Sequence, residues 1–361
     1  MSQLYFTSSM VSDEQFNSLE ALFSFIHPKK IILMFDTNII IDLRSFYYNT
    51  NRFVTDQRYE ATYVSIRYLV DKISKYDLAV GAQFALEESC RSVCNFKLND
   101  AKANQTTRAV KALFKMNISQ FDEYILNPTS ETEIVLNESF PDSKLACLKE
   151  ESTQQSLIII AYTITLKLYD LIMQLEKQQV TYLEVMLKFL QYLDEEVDVF
   201  SVSFIGYALY VFGGYSDLKA IIFAKNKRDA NKRLHKIFNG ALDLIYPQII
   251  DTSQSTYMEG YNDNLIPVFV TRDKNLSIVH SLLNTYDDFD DSTSKSQPTQ
   301  KIVSFKLLDR TQWKPNEILK VMEEINRINV KRQPKANRGF RSALHLLPLV
   351  PELEAKVKQY F

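Results

Sequence analysis

Four acidic residues occupy places from which oxygen ligands could be gathered: Asp36, Glu88, Asp243 and Asp273. Asp36 is the first residue after the apolar run "IILMF", and Asp273 follows "VFVT" with only Arg272 between. Buried parallel strands place ligand sites at their carboxyl ends, where the following loops splay apart. Glu88 lies in "FALEESC", beside Glu87 as the alternative acid, and Asp243 lies in "NGALDLIYPQII". At ~4 Å and an effective dielectric of ~20, each pair of like charges repels by roughly 4 kcal/mol. A divalent cation relieves that repulsion. The four histidines, His27, His235, His280 and His345, are scattered, and Cys90, Cys94 and Cys147 form no zinc pattern. An all-carboxylate set suits Mg²⁺ or Mn²⁺, as one ion or two. The natural chemistry of such a site is phosphodiester hydrolysis.

The elements that must position these acids follow from the hydrophobic pattern. Ile31 to Phe35 is a continuous apolar run, as in a strand buried on both faces. "YDLAVG" predicts a short strand, "IPVFVT" a second buried one, and "KIVSFKLL" a last one. Helical spacing predicts helices over Ser12 to His27, Ala61 to Lys75, "AQFALEESCRSVCNF", "KRLHKIFNGALDLIYPQII" and Glu317 to Asn329. From Lys97 to Asn231 the pattern is helical, with breaks near Asn127-Pro128, Pro141-Asp142 and Gly213-Gly214. Strands at both ends with helices between predict an α/β fold: a parallel sheet flanked by helices, carrying a long all-helical insertion. The expected division is an α/β domain split over 1–96 and 232–310, an insertion over 97–231, and a helical, basic tail over 311–361.

The segments "ILMFDTNIIIDL", "FALEESC", "NGALDLIYPQII" and "VFVTRDKNL" together resemble the ordered acidic motifs of the PIN domain family. The resemblance covers Ile31 to Asn95 and Lys232 to Leu307; the helical block and the tail have no counterpart in a minimal PIN domain. It implies a compact α/β sheet fold and a metal-dependent ribonuclease. Asp36, Glu88, Asp243 and Asp273 are then the first to fourth acids, holding Mg²⁺ or Mn²⁺, with Asn38 and Thr271 as polar neighbours that orient a ligand or water. Glu88 is preferred to Glu87 because the family motif has an apolar residue, any residue, then Glu, which Leu86, Glu87 and Glu88 match. A haloacid dehalogenase-type phosphatase also begins with a strand-tip Asp, but it needs a second Asp where this chain has Asn38.

The formal net charge is −2, so no global field draws the chain to a polyanion. A nucleic acid, RNA by the resemblance, has to be met by local patches. "KNKRDANKRLHK" offers Lys225, Arg228, Lys232, Arg233 and Lys236 on a helical stripe, and the tail offers Lys331, Arg332, Lys335, Arg338 and Arg341. "DDFDDSTSKSQPTQ" reads as an acidic loop. Most of the aromatic residues fall at helical spacing and are expected in the core. Three cysteines and no signal-peptide pattern fit a reducing cytoplasm. The apolar stretches "SLIIIAYTITLKLYDLIMQL" and "VFSVSFIGYALYVFGG" read as buried core helices rather than membrane spans. The competing expectation is a non-catalytic scaffold that binds RNA or a protein partner through the helical block, which could equally mediate a homodimer.

Overall fold

The computed structural model describes residues 4–148, 153–199, 201–223, 229–250, 260, 265–286, 300–303, 308–332 and 343–361. The chain divides into two compact units. The first comprises Met1–Ser92, Lys97–Glu138 and Ile249–Gln300; the second comprises Val93–Phe96, Ser139–Gln248 and Lys301–Phe361.

The first unit is built on a five-stranded sheet: β1 (Tyr5–Ser8), β2 (Ser12–Phe16), β3 (Ile31–Phe35), β4 (Ala79–Gly81) and β5 (Ile266–Thr271), in the order β2-β1-β5-β3-β4. β3 is central, parallel to both β4 and β5, which is why "IILMF" is buried along its whole length. The register pairs Phe35 with Val270 and so brings the tips of β3 and β5 side by side. β1 runs antiparallel to β5, with Phe6 opposite Val270, and β2 closes back on β1. The sheet is therefore mixed, where an all-parallel one was expected.

The predicted helix over Ser12 to His27 is corrected by that hairpin. Ser12–Phe16 is strand, Phe16 pairs with Phe6, and only α1 (Leu19–Phe23) is helical, N-capped by the Ser18 hydroxyl. The spacing that suggested one long helix is met by two short elements that bury Phe16, Leu19 and Leu22.

After β3 the chain enters α2 (Thr37–Tyr48), α3 (Thr50–Thr55) and α4 (Glu60–Tyr76), then crosses to β4 and α5 (Gln83–Ser89). The helix expected to run on past Ser89 stops there. Arg91 instead bridges Leu98, the Asn99 amide bonds the Cys90 carbonyl, and Phe96 takes a left-handed φ of 58° that interrupts a helix. Asn99 then caps α6 (Asp100–Lys115), followed by α7 (Ile118–Leu126).

α6 and α7 belong to the unit that carries the sheet, not to a separate helical block starting at residue 97. The reason is aromatic packing: Phe114 stacks on Phe35 at 5.2 Å, Phe121 on Phe46 at 5.4 Å and Tyr124 on Tyr47 at 5.2 Å. A non-helical segment after α7 is fixed to the same unit. Glu133 accepts hydrogen bonds from Arg44 (2.8 Å), Ser45 (3.1 Å) and Asn49 (3.0 Å). The Gln105 amide donates to the Thr132 carbonyl and accepts from the Ile134 N–H, both at 2.7 Å.

The second unit is helical: Thr153–Glu176, Tyr182–Tyr192, Val202–Phe212, most of Ala230–Ile250, Pro315–Arg332 and Leu349–Lys358. Every residue from Ser203 to Phe212 is buried, as the apolar run predicts. The expected break is present at Gly214, whose φ is +91°. Gln155–Glu176 is long and apolar enough to cross a membrane by length and composition, but 83% of its apolar window is buried within the protein. Glu354 pins the last helix into this unit by accepting from the Lys144 N–H and the Tyr162 hydroxyl, each at 2.8 Å. The tail over 311–361 and the segment "KRLHKIFNGALDLIYPQ" both lie in this unit rather than in the divisions expected for them. The strand in "KIVSFKLL" is present over Gln300–Val303, where the two units meet in sequence.

Candidate functional site

Three of the four singled-out acids lie in the first unit. Asp36 leaves the tip of β3 at the N-cap position of α2, yet its side chain does not accept from the second or third N–H of that helix. It is only 2% exposed. The Thr271 hydroxyl donates to its Oδ2 at 2.7 Å, and the Asn38 amide reaches the same oxygen at 3.3 Å. The backbone N–H of Thr37 also donates to the carboxyl. None of these donors carries charge. Burial, with the Asp273 charge nearby, pushes Asp36 up to about 6, against the pull of those hydrogen bonds.

Thr271 links the two strand-tip acids. Its oxygen accepts the Asp273 N–H at 2.9 Å, so its single proton is committed to Asp36. Asp273 caps the helix Lys274–Ser281: its Oδ1 accepts from the Asn275 and Leu276 N–H groups at 2.8 and 3.2 Å. Its Oδ2 has no donor among the described residues.

Glu88 faces the same region from α5. The Thr37 hydroxyl donates to its Oε2 at 2.6 Å. Burial of the carboxyl is the main force raising Glu88 to about 7, helped by the Asp36 charge. Arg91 pulls the other way, but its guanidinium sits 3.3 Å from Glu87. The two adjacent acids thus divide their roles, Glu87 in a helical i,i+4 ion pair and Glu88 turned toward Thr37.

Asp243 is half-buried on the helix Ala230–Ile250, in the second unit, between the buried Leu242 and Leu244. That helix continues through Pro247, which brings no backbone N–H of its own. Of the basic stripe, Lys225 and Arg228 lie outside the described residues. Lys232 is 3.8 Å from Asp229, Arg233 lies over the Phe361 ring at 4.8 Å, and Lys236 is half-buried. Lys331 and Arg332 pair with Asp194 at 2.5 and 3.3 Å, while Lys335, Arg338, Arg341 and the acidic loop with Asp287, Asp288, Asp290 and Asp291 lie outside the described residues.

Three residues outside the predicted site set bear on this site: Thr37, Arg272 and Asp42, the last expected only to cap or to form a salt bridge, as it does with Arg272. Thr37 holds Glu88. Arg272, between Thr271 and Asp273, bonds Asp42 and Thr62. Asp42 sits on α2, on the same helix that starts at Asp36. The signal for Thr37 was its place directly after Asp36; the signal for Arg272 was its place inside "VTRDKNL".

No metal-ligating set of three or more His, Cys, Asp or Glu side chains is assembled among the described residues. The donor chemistry nevertheless fits a hard divalent cation. Asp36 and Glu88 are carboxyls raised by burial and by neighbouring negative charge, with hydroxyl donors and, among the described residues, no ammonium or guanidinium hydrogen-bonded to them. Protein-family models, curated proteins and solved structures, compared with this chain, returned no match.

Proposed function

We propose that the first unit is a metal-dependent nuclease that hydrolyses phosphodiester bonds in RNA, of the PIN type that its motifs resemble. The observation that carries the reading is the gathering of Asp36 and Asp273, at the tips of adjacent strands, with Glu88 of α5. The charge of Asp36 is felt by Glu88 and that of Asp273 by Asp36, with no basic side chain hydrogen-bonded to Asp36 or Glu88 among the described residues. Asp36, Glu88 and Asp273 would hold Mg²⁺ or Mn²⁺. Such an ion polarises a phosphoryl oxygen and lowers the pKa of water.

The chain's own residues contribute the rest. Thr271 and Asn38 orient Asp36, and the committed Thr271 proton keeps Asp36 Oδ2 an acceptor. Thr37 orients Glu88 in the same way. Burial, which raises Glu88 to about 7, disfavours its charged form, a cost that a bound cation would offset. Asn38 donates an amide where a phosphatase of the dehalogenase type needs a second carboxylic acid, which favours the nuclease.

One observation favours a second reading. Asp273 already caps a helix, and no metal-ligating set of three acids is assembled among the described residues, which is compatible with a non-catalytic scaffold that binds RNA or a protein partner. The two are separated by incubating wild type and Asp36→Asn with RNA, single-stranded DNA and duplex DNA, in Mn²⁺ or in EDTA. The nuclease reading expects Mn²⁺-dependent cleavage of RNA by wild type alone. Equal cleavage by both proteins refutes the mechanism, and no cleavage by either favours the scaffold.

A further inference from the structure

We infer that Arg272 is a positioning residue: it docks the tip of β5 onto α2 and α4 and thereby sets where Asp273 and Thr271 stand relative to Asp36. The inference rests on the nuclease reading for its catalytic consequence, but its geometry stands apart from it.

The backbone of Arg272 lies between the two residues that matter. Thr271 is fully buried and donates to Asp36, and Asp273 caps the next helix. The side chain turns to the helices. Nη1 donates to Asp42 Oδ2 at 2.5 Å and to Thr62 Oγ1 at 2.6 Å, which uses both protons of that nitrogen. Asp42 belongs to the helix that begins beside Asp36, and Thr62 to α4. A shift of α2 against β5 therefore breaks the Arg272 bonds and the Thr271–Asp36 bond together.

The contact is a poor candidate for stability alone. Arg272 and Asp42 each keep only 25% of side-chain exposure. Burial raises the Asp42 carboxyl above its ordinary range in spite of the guanidinium. The Arg272 Nε is buried with no partner. Desolvating a half-buried pair and orphaning a donor offset much of the attraction gained. Both bonds come from one planar Nη1 group whose protons point in fixed directions, whereas a freely rotating ammonium would hold the two helices less rigidly.

The test uses the full chain as Arg272→Gln, Arg272→Lys and Thr62→Val. Mn²⁺ affinity is read by calorimetry, and amide exchange is read at Asp273, Asn275 and Leu276. Arg272→Gln is expected to weaken Mn²⁺ binding at least tenfold and to speed exchange at those amides at least tenfold, with Leu33 in β3 unchanged. Arg272→Lys and Thr62→Val shift both in the same direction by less. A purely structural ion pair would lower the melting temperature and leave Mn²⁺ affinity and local exchange at wild-type values, which overturns the inference. If Arg272→Gln does not fold, Thr62→Val decides by the same criteria. If wild type binds no Mn²⁺, the nuclease reading fails, and the exchange data alone decide the role of Arg272.

Discussion

Two buried aspartates, one in each unit, meet opposite surroundings. Asp194 in the helical unit is 5% exposed, and Asp36 in the sheet unit is 2% exposed. Burial pushes both carboxyls up. At Asp194, Lys331 and Arg332 outweigh it and hold the carboxyl below its ordinary range. At Asp36 the direct donors are a hydroxyl, an amide and a backbone N–H, with Asp273 adding negative charge, and the carboxyl stays at about 6. The first arrangement is complete as it stands. The second is a group of neighbouring acids with no basic side chain hydrogen-bonded to Asp36 among the described residues, and that difference is what the proposed cation site rests on.

The comparison can be broken in order of expected effect. Asp36→Asn should lower Mn²⁺-dependent RNA cleavage by at least about 100-fold, close to 3 kcal/mol of barrier, measured as initial rates. Asp194→Asn should leave cleavage unchanged per folded molecule. It should destabilise by roughly 3 kcal/mol in urea unfolding, the low end for breaking a buried pair, because Lys331 is half in solvent.

A pH series in EDTA gives a further separation. The folded-state pKa values of Asp36 and Glu88 are raised, from 3.8 to about 6 and from 4.5 to about 7. The stability they contribute is therefore fully present below about pH 4 and is lost as pH rises through 6 and 7. Asp36→Asn should flatten that decline and be more stable than wild type at pH 8 by up to about 3 kcal/mol. A wild-type curve no steeper than the variant's would show that Asp36 carries no such penalty. The smallest effect is expected for Thr37→Val. Removing the donor to Glu88 should raise its pKa further and move the acidic limb of a pH–rate profile to higher pH.

How much of this was legible in the sequence depends on how local each signal is. "IILMF" and "VFVT" identify buried strands by themselves, so the strand-tip positions of Asp36 and Asp273 could be read directly. The edge hairpin could not. "SDEQF" is polar, and β1 owes its place to Thr271, Val270 and Phe269, far along the chain. The hydroxyl partners were equally hidden: Thr271 meets Asp36 across 235 positions, and Thr37 meets Glu88 across 51. Helical periodicity also cannot say which core a helix joins. "AVKALFK" in α6 looks like its neighbours in sequence, and tertiary contacts such as the stacking of Phe114 on Phe35 and the Tyr48 bond to the Gln105 carbonyl assign it to the sheet unit. The family resemblance ordered four acids in a line; the units put Asp243 with the helices and the other three with the sheet.

The central claim, that the carboxylates of the sheet unit form a cation site, is tested most directly by titrating wild type and Asp36→Asn with Mn²⁺ at pH 8 while following thermal unfolding. The account predicts a wild-type melting temperature that climbs with Mn²⁺ through mass action, and an Asp36→Asn protein that starts higher and does not respond. A wild-type melting temperature unmoved at millimolar Mn²⁺ would contradict it.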